Sequence, residues 1–192
     1  MSTQKIQSII ESSIAVKQQY VSDAAFLDKI SSAVTLVANA FTNGYKVQFC
    51  GNGGSAADAH HLAAEFSGRF YKNRKALPSD ALHCNSSYLT AVANDYSYDD
   101  IYSRLVEGTM YKGDVLIGIS TSGNSGNIVK AFEMAKSMGI VTIGFTGAAG
   151  GKMSELSDVL INVPSNDTPR IQESHILIGH IICELVEAQL FA

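Results

Sequence analysis

Ile6, Ile9, Ile10 and Ile14 recur at helical spacing, so residues 3–22 read as a helix. Leu27, Ile30, Val34, Val37 and Phe41 repeat the pattern over residues 24–43, where Asn43-Gly44 supplies a stop. The period then changes. Residues 46–50 are short and partly β-branched or aromatic, as a strand is, and run into Gly51-Asn52-Gly53-Gly54-Ser55. Helical spacing returns over 56–70, with Ala59, Leu62, Ala63, Phe66 and Phe70 as the apolar stripe. Further apolar runs at 81–84, 115–119, 141–145 and 159–163 read as strands, with a helix from Ser125 to about Met138 between the third and fourth of the five strands. From Thr168 onward, Ile171, Ile176, Ile178, Ile181, Ile182, Leu185 and Val186 predict a long, largely buried closing helix. Two helices, then alternating strands and helices, predict an α/β three-layer sandwich with a parallel sheet covered on both faces. Residues 68–78, with Arg69, Lys72, Arg74 and Lys75, read as the long surface loop.

Composition narrows the class. The 192 residues fit one domain, residues 1–192, with residues 1–44 as a helical extension. An apolar share of 46% is enough for a sizeable core and excludes intrinsic disorder. A charged share of 17% is low, which hints at surface buried in an oligomer. The formal charge of −4 offers no global basic field for nucleic acid or an acidic membrane. Three cysteines, Cys50, Cys84 and Cys183, form no even disulfide framework and no metal-finger spacing. The first twenty residues lack an apolar leader, and no long uncharged apolar run suggests a membrane span. The expectation is a soluble cytoplasmic protein.

Two strand-to-helix junctions carry chemistry. One is rich in glycine, Gly51 to Ser55; the other is rich in hydroxyls, Ser120, Thr121, Ser122 and Ser125. In a parallel sheet such junctions face the ligand crevice, and a helix tip offers unpaired N–H groups and a positive dipole end. Together they suit a phosphate ester. The plainer alternative is a pair of ordinary turns with helix caps. Gly51, Gly53 and Ala56 also match a dinucleotide fingerprint, but that reading requires an acid at the end of the second strand. Asp80 is expected to precede that strand instead.

His61 and Glu65 are four residues apart on a helix. The spacing fits a metal grip, an acid/base pair or a plain surface ion pair. The closing helix holds Gln172, Glu173, His175, His180 and Glu184 on an apolar background. Helical spacing alone aligns Glu173 with His180, whereas Gln172 and His180 lie about 12 Å apart along an ideal helix; the sequence leaves the partner of His180 open.

Four stretches taken together carry a resemblance: residues 50–58 (CGNGGSAAD), 93–96 (ANDY), 118–125 (GISTSGNS) and 170–175 (RIQESH). In this order and over nearly the whole length, the chain resembles the phosphoheptose isomerases of the sugar-isomerase (SIS) domain family. The resemblance implies a five-stranded parallel sheet of flavodoxin-like type and a homotetramer with sites at subunit contacts. It implies interconversion of D-sedoheptulose 7-phosphate and D-glycero-D-manno-heptose 7-phosphate, the first step toward ADP- or GDP-heptose for lipopolysaccharide or capsule. It further implies one Zn2+ per subunit, held by His61, Glu65, Gln172 and His180. Implied substrate contacts are Asn52, Gly53, Gly54, Ser55, Glu65, Asn94, Asp95, Ser120, Thr121, Ser122, Ser125 and Gln172, with Arg69 a further candidate toward a neighbouring subunit. Glu65 is expected as the base and His180 as the acid of an enediol mechanism. The competing reading is the non-enzymatic relative that binds the replication initiator DnaA. Its pattern has Thr where Gly54 stands here and lacks the acid of Glu65 and the imidazole of His180.

Overall fold

Two long helices open the chain, and what they bury differs. Helix α1 (Thr3–Val21) hides only Val16 and Tyr20, whereas α2 (Ala24–Thr42) turns Phe26, Ile30, Val34, Val37 and Phe41 inward. Asp23 caps α2 by accepting the Phe26 N–H. By length and composition α2 is apolar enough to cross a membrane, but its apolar face belongs to the core. A computed structural model describes residues 2–191 of the chain.

Strand β1 (Val47–Gly51) leads into α3 (Gly54–Ser67), and residues 68–78 form the expected loop to β2 (Ser79–Ala81). Helices α4 (Ser86–Asp95) and α5 (Ile101–Thr109) follow, joined by a 3-10 turn at Tyr98–Asp100. The rest is β3 (Val115–Ile119), α6 (Gly126–Ser137), β4 (Val141–Thr146), β5 (Val159–Asn162) and α7 (Thr168–Leu190). The five strands are all parallel, in the order β2-β1-β3-β4-β5. Alternation divides the core. Val47, Phe49, Val115, Ile117 and Ile119 face α1, α2, α3 and α7; Cys50 and Leu116 face α4, α5 and α6.

Two expectations need correction. The second strand covers Ser79–Ala81 rather than residues 81–84; Leu82 still donates to Phe49 O at 2.9 Å, and the chain then turns. Asp80 therefore lies within β2, opposite Gln48, not ahead of it. Its carboxylate accepts the Ala81 N–H (2.8 Å) and lines an edge pocket with Gln48, Cys84 and Asn85, away from the glycine loop's own residues. Residues 86–109, for which no element is expected above, form α4 and α5.

Strand order fixes where a ligand can sit. From β1 the chain proceeds to β2 on one side, then returns to β3 on the other. The crevice in such a sheet opens at the carboxyl ends of the two strands flanking that reversal. Gly51 pairs in register with Ile119, so the loops leaving β1 and β3 stand side by side at the switch point.

Candidate functional site

The first loop turns within two residues. Gly53 takes φ +55°, a conformation that L side chains rarely adopt, and α3 starts at Gly54, two residues earlier than the apolar stripe predicts. At Gly54 a Cβ would meet the amide end of the Gln172 side chain from α7, which would have to swing aside. Glycine thus leaves room for the Gln172 amide at the tip of α3. Beneath the loop, the buried Tyr102 of α5 donates to Gly51 O (2.5 Å).

In the second loop Ser120 is buried, and its hydroxyl pairs with Ser125 Oγ at 2.9 Å and Ser122 Oγ at 3.4 Å. Ser125 occupies the cap position of α6 yet makes no side-chain cap, and Gly53 has no side chain to cap α3. By contrast, Asp23 and Asn85 cap α2 and α4 with their side chains. At neither switch-point tip does the cap residue's side chain take a helix N–H, although Asn127 Oδ1 takes that of Ile128, so the first N–H groups of each helix suit an anion. Thr121 and Ser122 also wall a cavity of about 200 Å³ with Gly147, Ser165, Asn166 and Ile171. A larger opening of about 610 Å³ lies along β2, and none of the expected site residues is in its wall.

Along α3 from its tip, His61 and Glu65 meet His180 of α7. His61 Nε2 lies 2.9 Å from His180 Nε2 and 3.3 Å from Glu65 Oε1. One ligand atom from each of the three falls within 4.8 Å of the others. Two imidazole nitrogens and a carboxylate oxygen form a donor set that fits a divalent metal with an open coordination position. The exposed His61 ring keeps one side accessible. Glu173, which helical spacing aligns with His180, instead accepts from Ser13 Oγ (2.7 Å) and Arg170 Nη2 (2.5 Å), tying α7 to α1. Gln172 points to Gly54 and Asp58, a turn ahead of His61.

Asp58 is the residue whose part spacing did not reveal. Burial raises its carboxyl pKa, against the opposing pull of Gln172, His61 and His180, and its Oδ2 is buried without a hydrogen-bond partner. A half-buried carboxylate facing two imidazoles adds negative potential where a cation would be held. Its place three residues before His61, on the same helix face, was the available signal.

Asn94 and Asp95 end α4, with Asn94 Nδ2 donating to Asp95 Oδ1 at 2.9 Å. Three residues on, the Tyr98 hydroxyl donates to Asn52 Oδ1 (3.1 Å), which brings this segment beside the first loop. Arg69 is exposed on the loop after α3. The backbone of that loop is clamped by buried Glu187 of α7, which accepts the N–H groups of Phe70 (3.0 Å), Tyr71 (2.7 Å) and Lys72 (2.7 Å) and Arg74 Nε (2.9 Å). Arg74 in turn donates to Glu65 O at 2.8 Å and Phe66 O at 2.7 Å, closing the carboxyl end of α3.

A switch-point crevice between two helix tips, with a metal-competent triad where the helix leaving one of them meets α7, suits small phosphorylated ligands. Comparison with known proteins agrees: the SIS domain model matches residues 10–147. The phosphoheptose isomerase of Aneurinibacillus thermoaerophilus is 54% identical over 97% of this chain and 94% of its own length. That of Clostridium acetobutylicum is 53% identical over 97% and 95%. Among solved structures, phosphoheptose isomerase from Neisseria gonorrhoeae superposes with a TM-score of 0.90 at 39% identity, over 96% of this chain and 98% of its own. The Francisella tularensis enzyme gives 0.92 at 33%, over 98% and 100%. The chain belongs to the phosphoheptose isomerase family of SIS domain proteins.

Proposed function

We propose that the protein interconverts the ketose D-sedoheptulose 7-phosphate and the aldose D-glycero-D-manno-heptose 7-phosphate, supplying heptose for lipopolysaccharide or capsule. The observation that carries this reading is the convergence of His61 and Glu65, on the helix that starts at the glycine-loop tip, with His180 of α7. Seven residues of α3 separate Gly54 from His61, a rise of about 10 Å. That is the scale of an extended sugar phosphate, with its phosphate at the tips and its carbonyl at the triad.

Serines 120, 122 and 125, Thr121, and the loop from Asn52 through Gly53 and Gly54 to Ser55 hold the phosphate end. Its binding energy orients the reacting carbons. Asn94, Asp95 and Gln172 contact the sugar hydroxyls. Glu65 takes a proton from C1 of the ketose, and the freed electron pair forms the C1–C2 double bond while His180 gives a proton to O2. The enediol then loses its O1 proton to His180 and receives the Glu65 proton at C2, which leaves the aldehyde. Zn2+ bound by His61, Glu65 and His180, with neutral Gln172 as a weaker ligand, would supply Lewis acidity toward the substrate oxygens. The ligand and proton duties compete for the same lone pairs. Among the described residues no hydrogen bond engages Glu65 Oε2, so that oxygen is the one suited to proton transfer.

The same reading takes the chain as one SIS domain, assembled as a cytoplasmic homotetramer in which Arg69 extends toward a neighbouring subunit. A coupled assay with sedoheptulose 7-phosphate tests it. Turnover is expected, lost on chelation and restored by zinc. Full activity in metal-free protein overturns the zinc assignment, and no turnover together with binding of the replication initiator supports the non-enzymatic alternative. Gly54, Glu65 and His180 all favour the enzyme.

A further inference from the structure

Asn127 is the second residue of α6 and is almost fully buried, at 1% exposure. Its Oδ1 accepts the backbone N–H of Ile128 (3.0 Å) and Asn52 Nδ2 (2.8 Å). Its own Nδ2 donates to Asn52 Oδ1 at 2.8 Å. The two amides therefore make a reciprocal pair that ties the loop after β1 to the start of α6, across the switch point. Tyr98 OH adds a second donor to Asn52 Oδ1 (3.1 Å).

The order of cause is readable from donor chemistry. A backbone N–H can only donate, so Ile128 fixes which end of the Asn127 amide is oxygen. Asn127 in turn fixes Asn52. With both lone pairs of Asn52 Oδ1 engaged, and one of its two Nδ2 protons given to Asn127, Asn52 has one group left for the crevice: an N–H donor. It has no free acceptor. Burial makes the arrangement stiff, because breaking the pair would strand polar atoms away from water.

We infer that Asn127 is a positioning residue that locks Asn52 as an obligate hydrogen-bond donor, aimed at an unprotonated oxygen of the phosphorylated ligand, and so fixes the spacing of the two anion-binding loops. This rests on the sugar-phosphate reading above and deepens it. A ligand group that must itself donate finds no partner at Asn52, whereas a phosphate oxygen does.

The test is a double-mutant cycle of Asn127→Leu, which keeps volume, and Asn52→Ala. Calorimetric binding of inorganic phosphate and of sedoheptulose 7-phosphate is the first readout, and turnover the second. In the wild-type background Asn127→Leu is expected to weaken phosphate binding and raise KM by about ten- to a hundredfold, the range a small misplacement of a binding group produces. Its effect on kcat should be much smaller. In the Asn52→Ala background the same change should cost less than about twofold, because its route of action is already gone. Equal losses in both backgrounds mean a merely structural role and overturn the inference. Should the leucine variant fail to fold, Asn127→Ser repeats the cycle with a smaller polar side chain. The two layers of argument fail separately: absence of turnover in the wild type removes the isomerase reading, while the phosphate-binding cycle still decides the role of Asn127.

Discussion

Glu65 is held at both ends. Its carbonyl is tied to Arg74 and its Oε1 faces His61, so its second oxygen can be aimed without help from the ligand. Glu65→Gln keeps this shape and removes the base. Turnover is expected to fall by about 10²- to 10⁴-fold with little change in KM, and a steady-state comparison showing near-normal kcat would refute the assignment. A second histidine on α7 behaves differently. His175 is fully buried, donates from Nε2 to Thr146 O (3.0 Å), and leaves Nδ1 without a partner. Burial drives its pKa down from 6.5 to about 4, only partly opposed by that bond. Because the folded-state pKa is depressed, the unfolded chain binds the proton first as pH falls. Stability is therefore intact above pH 6.5 and drains away toward pH 4, by about 3 kcal/mol over the window. His175→Gln retains a donor and cannot titrate, so denaturant unfolding from pH 7 to pH 4 should lose that part of the slope. The sequence separates His175 from His180 only as two histidines in one helix; burial against Phe145 encloses one, and the meeting with α3 brings the other into the metal-competent triad.

At the scale of elements, the loop between α3 and β2 is built around one buried ion pair. Arg74 and Glu187 side chains are each 2% exposed, 2.9 Å apart. Burial pushes the Glu187 carboxyl up, but the N–H groups of Lys72, Phe70 and Tyr71 and the Arg74 guanidinium outweigh it, so its pKa ends below the ordinary carboxylate range. That contribution is complete at neutral pH and disappears as pH falls through the lowered value. Glu187→Gln keeps the shape but leaves a buried guanidinium without its counter-charge. A loss of about 3–5 kcal/mol is expected, read as a drop in thermal midpoint at pH 7 that shrinks in acid. An unchanged midpoint would mean that the loop does not depend on the pair. Such a pair also marks how far a single sequence can be read. The basic loop was legible from Arg69, Lys72, Arg74 and Lys75, but its anchor lies 113 positions away, and no local pattern announces it. The two loops and the strands at 115–119 and 141–145, the second one residue longer in the structure, were legible because β-branched runs ending near glycine or serine are a local signal. Helix α4 was less so, because it is short and buries only Val92, whereas Ile101, Leu105 and Val106 do recur at helical spacing in α5, so its signal was present in the sequence.

For the molecule as a whole, the helical period at the start of the chain was correct, but the face it defines does not pack on this chain's core. Ile6, Ile9, Ile10 and Ile14 are 50%, 44%, 55% and 47% exposed, a contiguous apolar stripe along α1. The helix is nevertheless held firmly. Arg170 of α7 donates to Ile9 O and Ser12 Oγ, both at 2.9 Å, and Glu173 takes the Ser13 hydroxyl. Gln172 lies between those two anchoring residues, so α1 and the side chain that meets Gly54 are attached to the same turn of α7. A rigid helix presenting four isoleucines to water is costly for a monomer and ordinary for a subunit, and the low charged share of 17% points the same way. The proposed tetramer therefore predicts that Ile10→Glu together with Ile14→Glu will divide the assembly. Light scattering should register a smaller species, while circular dichroism should retain the helical signal, because neither side chain belongs to the core. Activity should fall with assembly if Arg69 serves a neighbouring site, and should persist in the smaller species if each chain is self-sufficient. A wild-type protein that is monomeric at micromolar concentration would remove the tetramer and leave the stripe for some other surface.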